Sequence, residues 1–396
     1  MSDTEKIRHL RKNFCRLFEK QPDIAVSSPG RVELIGNHTD HQHGCVLAAA
    51  IEKETLAAAS RRFDMLAVIH SEGFKPFRVE FNCLSRQPGE EGSPASLVRG
   101  IGAKLKERGF KIGGFDAFIT TEVPPGSGLS SSAAFELAIC SVLNHLYNEG
   151  SVDPITLAKT AQYAENVYFN KPCGLMDQLA CAIGGAAAID FLDTENPVVC
   201  KVPFDARSKS FALCVTDTGG CHSGLTDEYA AIANEMRCVA AFLGKEALRF
   251  ASEKAFREKA DEIEKCCGRR AVGRAAHFFA ENRRAQAAAE ALEKDDFELF
   301  IRLMRESGSS SEELLQNTHI PGTPENEGIP LALALSRKIL EGRGAWRVHG
   351  GGFAGTIIAL VPLNLLEAYQ SEMGKAFGPG SCKSLNIRGS GAARIL

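Results

Sequence analysis

The stretch Val123–Ala138, VPPGSGLSSSAAFELA, constrains this chain more than any other. The pattern over Phe115–Thr121 predicts a strand, and Ala133–Tyr147 has the spacing of a strong helix. Between them lie Gly126, Ser127, Gly128 and Leu129, then Ser130, Ser131 and Ser132. The start of a helix presents free N–H groups and the positive end of a dipole, which together favour an anion. Glycines let a phosphate approach the backbone, and serine hydroxyls donate to it or ligate a metal. The pattern G-x-x-x-x-G-K-[ST] occurs nowhere, so this is not a Walker loop. On these residues alone, a serine-capped helix after a tight turn is the alternative.

Two further glycine segments stand out. In Gly342–Val361, Gly350, Gly352 and Gly355 fit G-x-G-x-x-G, but a strand and not a helix is expected at Thr356–Val361. That excludes a dinucleotide-binding turn. The segment reads as a turn between strands, either purely structural or a wall against a ligand or against the first glycine loop. The other segment, Ser27–Gly44, gathers Arg31, His38, Asp40, His41 and His43 among small residues. Three readings are open: a metal cluster, a solvated polar loop, or a loop whose arginine, carboxylate and imidazoles line the hydroxyls of a polyol. H-E-x-x-H is absent, and the single H-x-E, His70-Ser71-Glu72, lacks the P-C-x-x-C of a zinc deaminase.

Composition narrows the class. A length of 396 residues suggests two domains at roughly 100–200 residues each. With 46 Lys plus Arg against 49 Asp plus Glu, the net charge of −3 argues against a dedicated nucleic-acid binder. The charged N-terminus lacks a signal-peptide core, and no apolar run approaches the ~20 residues that span a bilayer, so a cytoplasmic protein without a membrane partner is expected. Thirteen cysteines are scattered without a C-x-x-C, which reads as small buried thiols in a reducing compartment.

Periodicity gives helices at 5–20, 97–108, 155–169, 330–341 and 363–377, and a long helical region from 226 to 316. Strands are expected at 65–70, 186–191, 211–216 and 347–348, with a short one starting at Ala25 that Pro29-Gly30 interrupts. The class is α+β, with a boundary near 190–205 and no internal repeat.

Taken together, the three segments resemble the signature motifs of the GHMP small-molecule kinases. The sugar-loop candidate G-R-V-E-L-I-G-N-H-T-D-H is similar to the galactokinase signature, approximately G-R-V-N-L-I-G-E-H-T-D-Y. Cys173–Gly185 and His222–Cys238 resemble the family segments that carry its catalytic aspartate and its sugar-contacting tyrosine. The resemblance covers nearly the whole chain. It implies a two-domain α+β fold, residues 1–200 carrying sugar and phosphate loops and residues 201–396 forming the second domain, with the site in the cleft between them. It implies Arg31 and Asp177 as the catalytic pair. Asn37, His38, Asp40, Gly174 and Tyr229 fall at sugar-binding positions, and Gly126–Ser132 at the ATP loop. Ser132 and Glu165 fall at the magnesium positions, Glu165 lying twelve residues before Asp177.

The implied reaction is ATP-dependent, Mg2+-assisted phosphorylation of the anomeric hydroxyl of galactose. Asp177 acts as general base or as a positioning group, and Arg31 orients it or stabilises charge. Two departures matter: the family's usual Glu is Asn37 here, and its usual Tyr is His41. An uncharged Asn37 would accept a sugar carboxylate, so galacturonate stands as the second substrate. A non-catalytic sugar sensor is a third reading, disfavoured because the serine loop, Arg31 and Asp177 are all present. A monomer or weak homo-oligomer is expected.

Overall fold

The computed structural model describes residues 3–220, 225–320 and 327–396. In chain order the strands are β1 (Ile24–Ile35), β2 (Cys45–Arg61), β3 (Leu66–Ser71), β4 (Phe77–Glu80), β5 (Phe115–Thr121), β6 (Ala186–Asp190), β7 (Val198–Val202), β8 (Phe211–Asp217), β9 (Ala345–Val348), β10 (Thr356–Pro362), β11 (Cys382–Leu385) and β12 (Ala393–Arg394). The helices are α1 (Asp3–Phe18), α2 (Pro94–Glu107), α3 (Ser131–Tyr147), α4 (Pro154–Tyr163), α5 (Met176–Ile183), α6 (Thr226–Phe242), α7 (Glu253–Glu258), α8 (Ala260–Cys267), α9 (Arg269–Glu293), α10 (Phe297–Ser310), α11 (Gly328–Leu340) and α12 (Leu366–Phe377).

The first sheet has eight strands in the order β12-β1-β2-β5-β3-β4, with β6 and β7 continuing from β2. Only the β3–β5 pair is parallel. β2 is long because it serves two partners on one side: Cys45–Ala49 pair with β6, and Thr55–Arg61 with β5. Its charged stretch Glu52–Glu54 lies between those pairings, where Glu54 meets Lys6 and Arg388 at 3.2 and 2.6 Å.

β1 corrects one expectation. Pro29-Gly30 does not interrupt it; the strand runs through with a register shift between Pro29 and Arg31. Such an irregularity absorbs a residue that has no N–H for the ladder. All twelve residues of β1 are buried, because both faces of the sheet are covered there. On one side Leu137, Leu143, Leu179 and Ile101 of the α2–α5 layer pack on Val26, Val46 and Ala57. On the other, Val32, Leu34 and Leu47 meet Ala288, Phe300 and Met304 of α9 and α10, together with Leu213 and Ile358. The second sheet, β11-β8-β10-β9, is wholly antiparallel and carries α11 and α12 on its outer face.

The strand expected after Gly355 is present as β10. The helical region 226–316 resolves into α6 to α10 and a short π-turn at Ser311–Leu315. The expectation of buried free thiols fails twice: Cys83, Cys200 and Cys266 are exposed, and Cys238 and Cys267 form a disulfide, with Cα atoms 6.0 Å apart. The reason is packing, since α6 and α8 share a core of Ile232, Met236, Val239 and Ile263 that brings the two positions within bridging distance. No helix among the described residues is long and apolar enough to cross a membrane.

Candidate active site

Arg31 projects from the middle of β1, and Asp177 stands in the first turn of α5. Nε and Nη2 of Arg31 donate to the two oxygens of Asp177 at 2.7 and 2.6 Å, a bidentate pair. Arg31 Nη1 also donates to the Gly128 carbonyl at 2.5 Å, and Ser130 Oγ donates to Asp177 Oδ2. The guanidinium is 6% exposed and the carboxylate 30%, so the aspartate is the member that faces outward. Burial alone would raise the Asp177 carboxyl, but Arg31 and the Ser130 hydroxyl outweigh it and hold it below the usual range. Asp177 is therefore ionised at neutral pH.

The glycine–serine loop closes onto this pair. Gly128 has φ +71, and a Cβ there would lie 2.5 Å from Thr356 Oγ1 and 3.2 Å from His349 Nδ1, so only glycine fits. Those two residues flank the glycines Gly350–Gly355, whose segment is thus a wall against the first loop. Leu129 is buried and its carbonyl accepts from Arg31 N at 3.1 Å. Ser130 is held at φ 59, a left-handed conformation that non-glycine residues seldom adopt, and its hydroxyl turns back to Asp177. Ser127 is fixed by donating to the Pro124 carbonyl at 2.6 Å, while Gly126 is exposed at the loop tip. Ser131 and Ser132 open α3, whose first N–H groups face the loop.

The candidate sugar residues gather beside Asp177. A Cβ on Gly174 would sit 1.6 Å from Asp40 Oδ2, so the glycine is what admits the Asp40 carboxylate. His38, at φ 57, reaches the Gly351 carbonyl with Nε2 at 2.9 Å. Burial lowers its pKa to about 4, leaving a neutral imidazole. Tyr229 on α6 donates to the Gly352 carbonyl at 3.1 Å, its ring against Gly351. His222–Gly224, at the start of that family segment, lie outside the described residues. His41 packs its ring on His38 at 5.5 Å between centroids. No group of three or more His, Cys, Asp or Glu able to hold a metal exists among the described residues, so the cluster reading of this loop has no support there.

Asp40 is pushed up to about 7 by burial and by the nearby charges of Asp177 and Glu33. An unfolded aspartate titrates near ~3.9, so the folded protein holds a proton there that the unfolded chain has lost. Stability should fall as pH rises from about 4 to about 7. Asp40→Asn is expected to raise the melting temperature at pH 8, with the gain closing as pH drops toward 4. An equal gain at both values would contradict this assignment of strain.

Asn37 is fully buried. Its Nδ2 donates to Glu33 Oε1 at 3.1 Å and to the Gly350 carbonyl at 2.7 Å, and its Oδ1 accepts from Asn317 Nδ2 at 2.8 Å. Glu33 in turn pairs with Arg347 at 2.5 Å, both almost completely buried. His277 and Glu281 of α9 hold the Asn37 carbonyl and the amides of Gly36 and Asn37. None of Glu33, Arg347, Asn317, His277 or Glu281 was singled out from sequence. The one local signal is Glu33, a second charge two residues from Arg31 in a buried strand.

Glu165 sits on a π-turn, Ala164–Tyr168, that continues α4. It is 3% exposed rather than solvated. Its Oε1 accepts from Ser132 Oγ at 3.2 Å and Lys171 Nζ at 2.9 Å, and its Oε2 from Gln178 Nε2 at 2.8 Å and the Cys173 thiol at 3.2 Å. The donor set suits magnesium, which takes one or two protein oxygens and leaves the rest to phosphate and water. The Lys171 ammonium stands in as a cation at the same carboxylate.

The galactokinase galactose-binding signature matches residues 12–61, and the GHMP kinase N-terminal domain matches residues 96–185. A Streptomyces coelicolor galactokinase is 32% identical over 392 residues, 97% of each chain. The crystal structure of Lactococcus lactis galactokinase complexed with galactose is 26% identical and superposes with a TM-score of 0.85 over 98% of this chain and all of that one. A Methanococcus jannaschii mevalonate kinase, at 15% identity and a TM-score of 0.64 over 92% and 98% of the two chains, shares the fold. Identity at this level along almost the entire length settles the matter: the chain belongs to the galactokinase family of GHMP kinases.

Proposed function

We propose that this enzyme transfers the γ-phosphoryl group of ATP to the anomeric hydroxyl of D-galactose, giving galactose 1-phosphate. The observation that carries the reading is the Arg31–Asp177 pair tied through Ser130 to the glycine–serine loop, which joins an acceptor for the sugar proton to a phosphate cradle. The loop Gly126–Ser132 and the start of α3 hold the phosphates through backbone N–H groups and serine hydroxyls. Asp40, His38, Gly174 and Tyr229 shape the sugar subsite, and Asn37 positions it from behind. Residues 1–200 supply both loops, and residues 201–396 supply Tyr229 and the Gly350–Gly352 wall across a cleft.

Asp177 orients the anomeric hydroxyl and accepts its proton. A carboxylate held low is a weak base, which suffices because phosphoryl transfer passes through a loose transition state in which the proton leaves late. Arg31 keeps that carboxylate ionised and offsets charge developing on the transferred group. Ser132 and Glu165 would hold magnesium, which when bound neutralises charge on the phosphates.

Galactose is preferred to galacturonate on one observation. The amide hydrogens of Asn37 are spent on Glu33 and the Gly350 carbonyl, so no free donor there awaits a sugar carboxylate, and a second carboxylate stands directly behind it. The test is ATP consumption with galactose, galacturonate, N-acetylgalactosamine, arabinose and glucose. Galactose should exceed galacturonate and glucose in kcat/KM by about tenfold or more, the worth of one well-placed polar contact. Equal or better turnover of galacturonate or a gluco-configured sugar would overturn the reading.

A further inference from the structure

The segment between the π-turn and α5 is tied back to that turn at two points, the first being Lys171 N, which donates to the Glu165 carbonyl at 3.1 Å. Cys173 is fixed by Asn166, which accepts from Cys173 N at 2.7 Å and donates to its carbonyl at 3.2 Å. Two residues earlier, the Lys171 side chain is 59% exposed, yet its ammonium reaches the buried Glu165. The oxygen it holds, Oε1, is the one that also accepts from Ser132 Oγ. The other oxygen, Oε2, is already occupied by Gln178 and Cys173. Any cation bridging Ser132 and Glu165 must therefore use Oε1, and two cations cannot share it without strong repulsion at contact distance. Exposure makes the ammonium the partner that leaves, since its departure to water costs no unpaired buried charge.

We propose that Lys171 is the resident counter-cation of the metal site, holding Glu165 in place until a divalent ion arrives with the nucleotide and competing with that ion for Glu165 Oε1. This rests on the assignment of Ser132 and Glu165 as the magnesium residues. Lys171 is thus a positioning residue that sets the metal requirement.

The experiment follows binding of AMP-PNP by calorimetry as Mn2+ is varied, with free Mn2+ read by its paramagnetic resonance signal. In Lys171→Met the Mn2+ concentration for half-maximal nucleotide binding should fall about fivefold or more, as expected for coupling between groups in direct contact. Lys171→Gln should behave alike, whereas Lys171→Arg, which keeps a cation on Glu165, should stay close to wild type. In a Glu165→Gln background, where the shared oxygen carries no charge, Lys171→Met should have no effect. An unchanged Mn2+ dependence in Lys171→Met would overturn the role of Lys171. So would weaker AMP-PNP binding at saturating Mn2+, which would put the ammonium on phosphate instead. A wild-type protein that binds no AMP-PNP with Mn2+ would overturn the kinase site itself, a different failure.

Discussion

Asp177→Asn is expected to fold normally and to lose about 10²-fold or more in turnover, as removal of the proton acceptor requires. The amide keeps the shape and still accepts from Arg31, but it cannot take the anomeric proton and leaves Arg31 without its charge partner. The variant folds but should be less stable than the wild type, because the Arg31 guanidinium, 6% exposed, loses its counter-charge. Galactose affinity should change far less than kcat, since hydroxyl orientation survives in part. Circular dichroism and steady-state kinetics on the same preparation decide it. Near-normal turnover would remove Asp177 from the reaction and leave Arg31 as the principal catalytic group.

The second large effect is on stability. Glu33 and Arg347 form an ion pair at 2.5 Å with side chains 3% and 0% exposed. Arg347 also donates to the Leu34 carbonyl at 2.8 Å, and Glu33 anchors Asn37. Burial pushes the Glu33 carboxyl up, and the attraction of Arg347 only partly offsets it. Arg347→Met would strand that carboxylate without a counter-charge, and such a break costs about 3–5 kcal/mol. Denaturant unfolding should show the loss, and Glu33→Gln combined with Arg347→Met should recover much of it, because no charge is then left buried. If the double variant is no more stable than Arg347→Met alone, the pair does not carry the coupling described here.

The two ion pairs differ in how far the sequence reveals them. The proposed phosphate loop is legible locally, since glycines, serines and a helix pattern lie side by side and their physics is that of a helix N-terminus. The Arg31–Asp177 contact joins residues 146 positions apart and is legible only through likeness to a family. Glu33–Arg347, 314 positions apart, has no sequence signal beyond a second charge beside Arg31 in one strand. Asn37 shows the limit most clearly. Read from sequence, it is an open, uncharged contact that widens the substrate choice. In the structure its amide is consumed by neighbours contributed from both halves of the chain. Pro29 misled in the opposite direction, because a break in local propensity is absorbed by a register shift that only the paired strand discloses. The Cys238–Cys267 bridge likewise depends on how α6 lies on α8, which spacing along the chain does not encode.

The Arg31–Asp177 pair and the glycine–serine loop are proposed to serve one reaction at the anomeric carbon of galactose. The direct measurement is the phosphorus resonance spectrum of a mixture of this protein, ATP, Mg2+ and galactose. The ATP γ-phosphorus signal should be lost with equal gain of a phosphomonoester coupled to the anomeric proton. Phosphate appearing on another hydroxyl, or free phosphate released without a sugar phosphate, would contradict it.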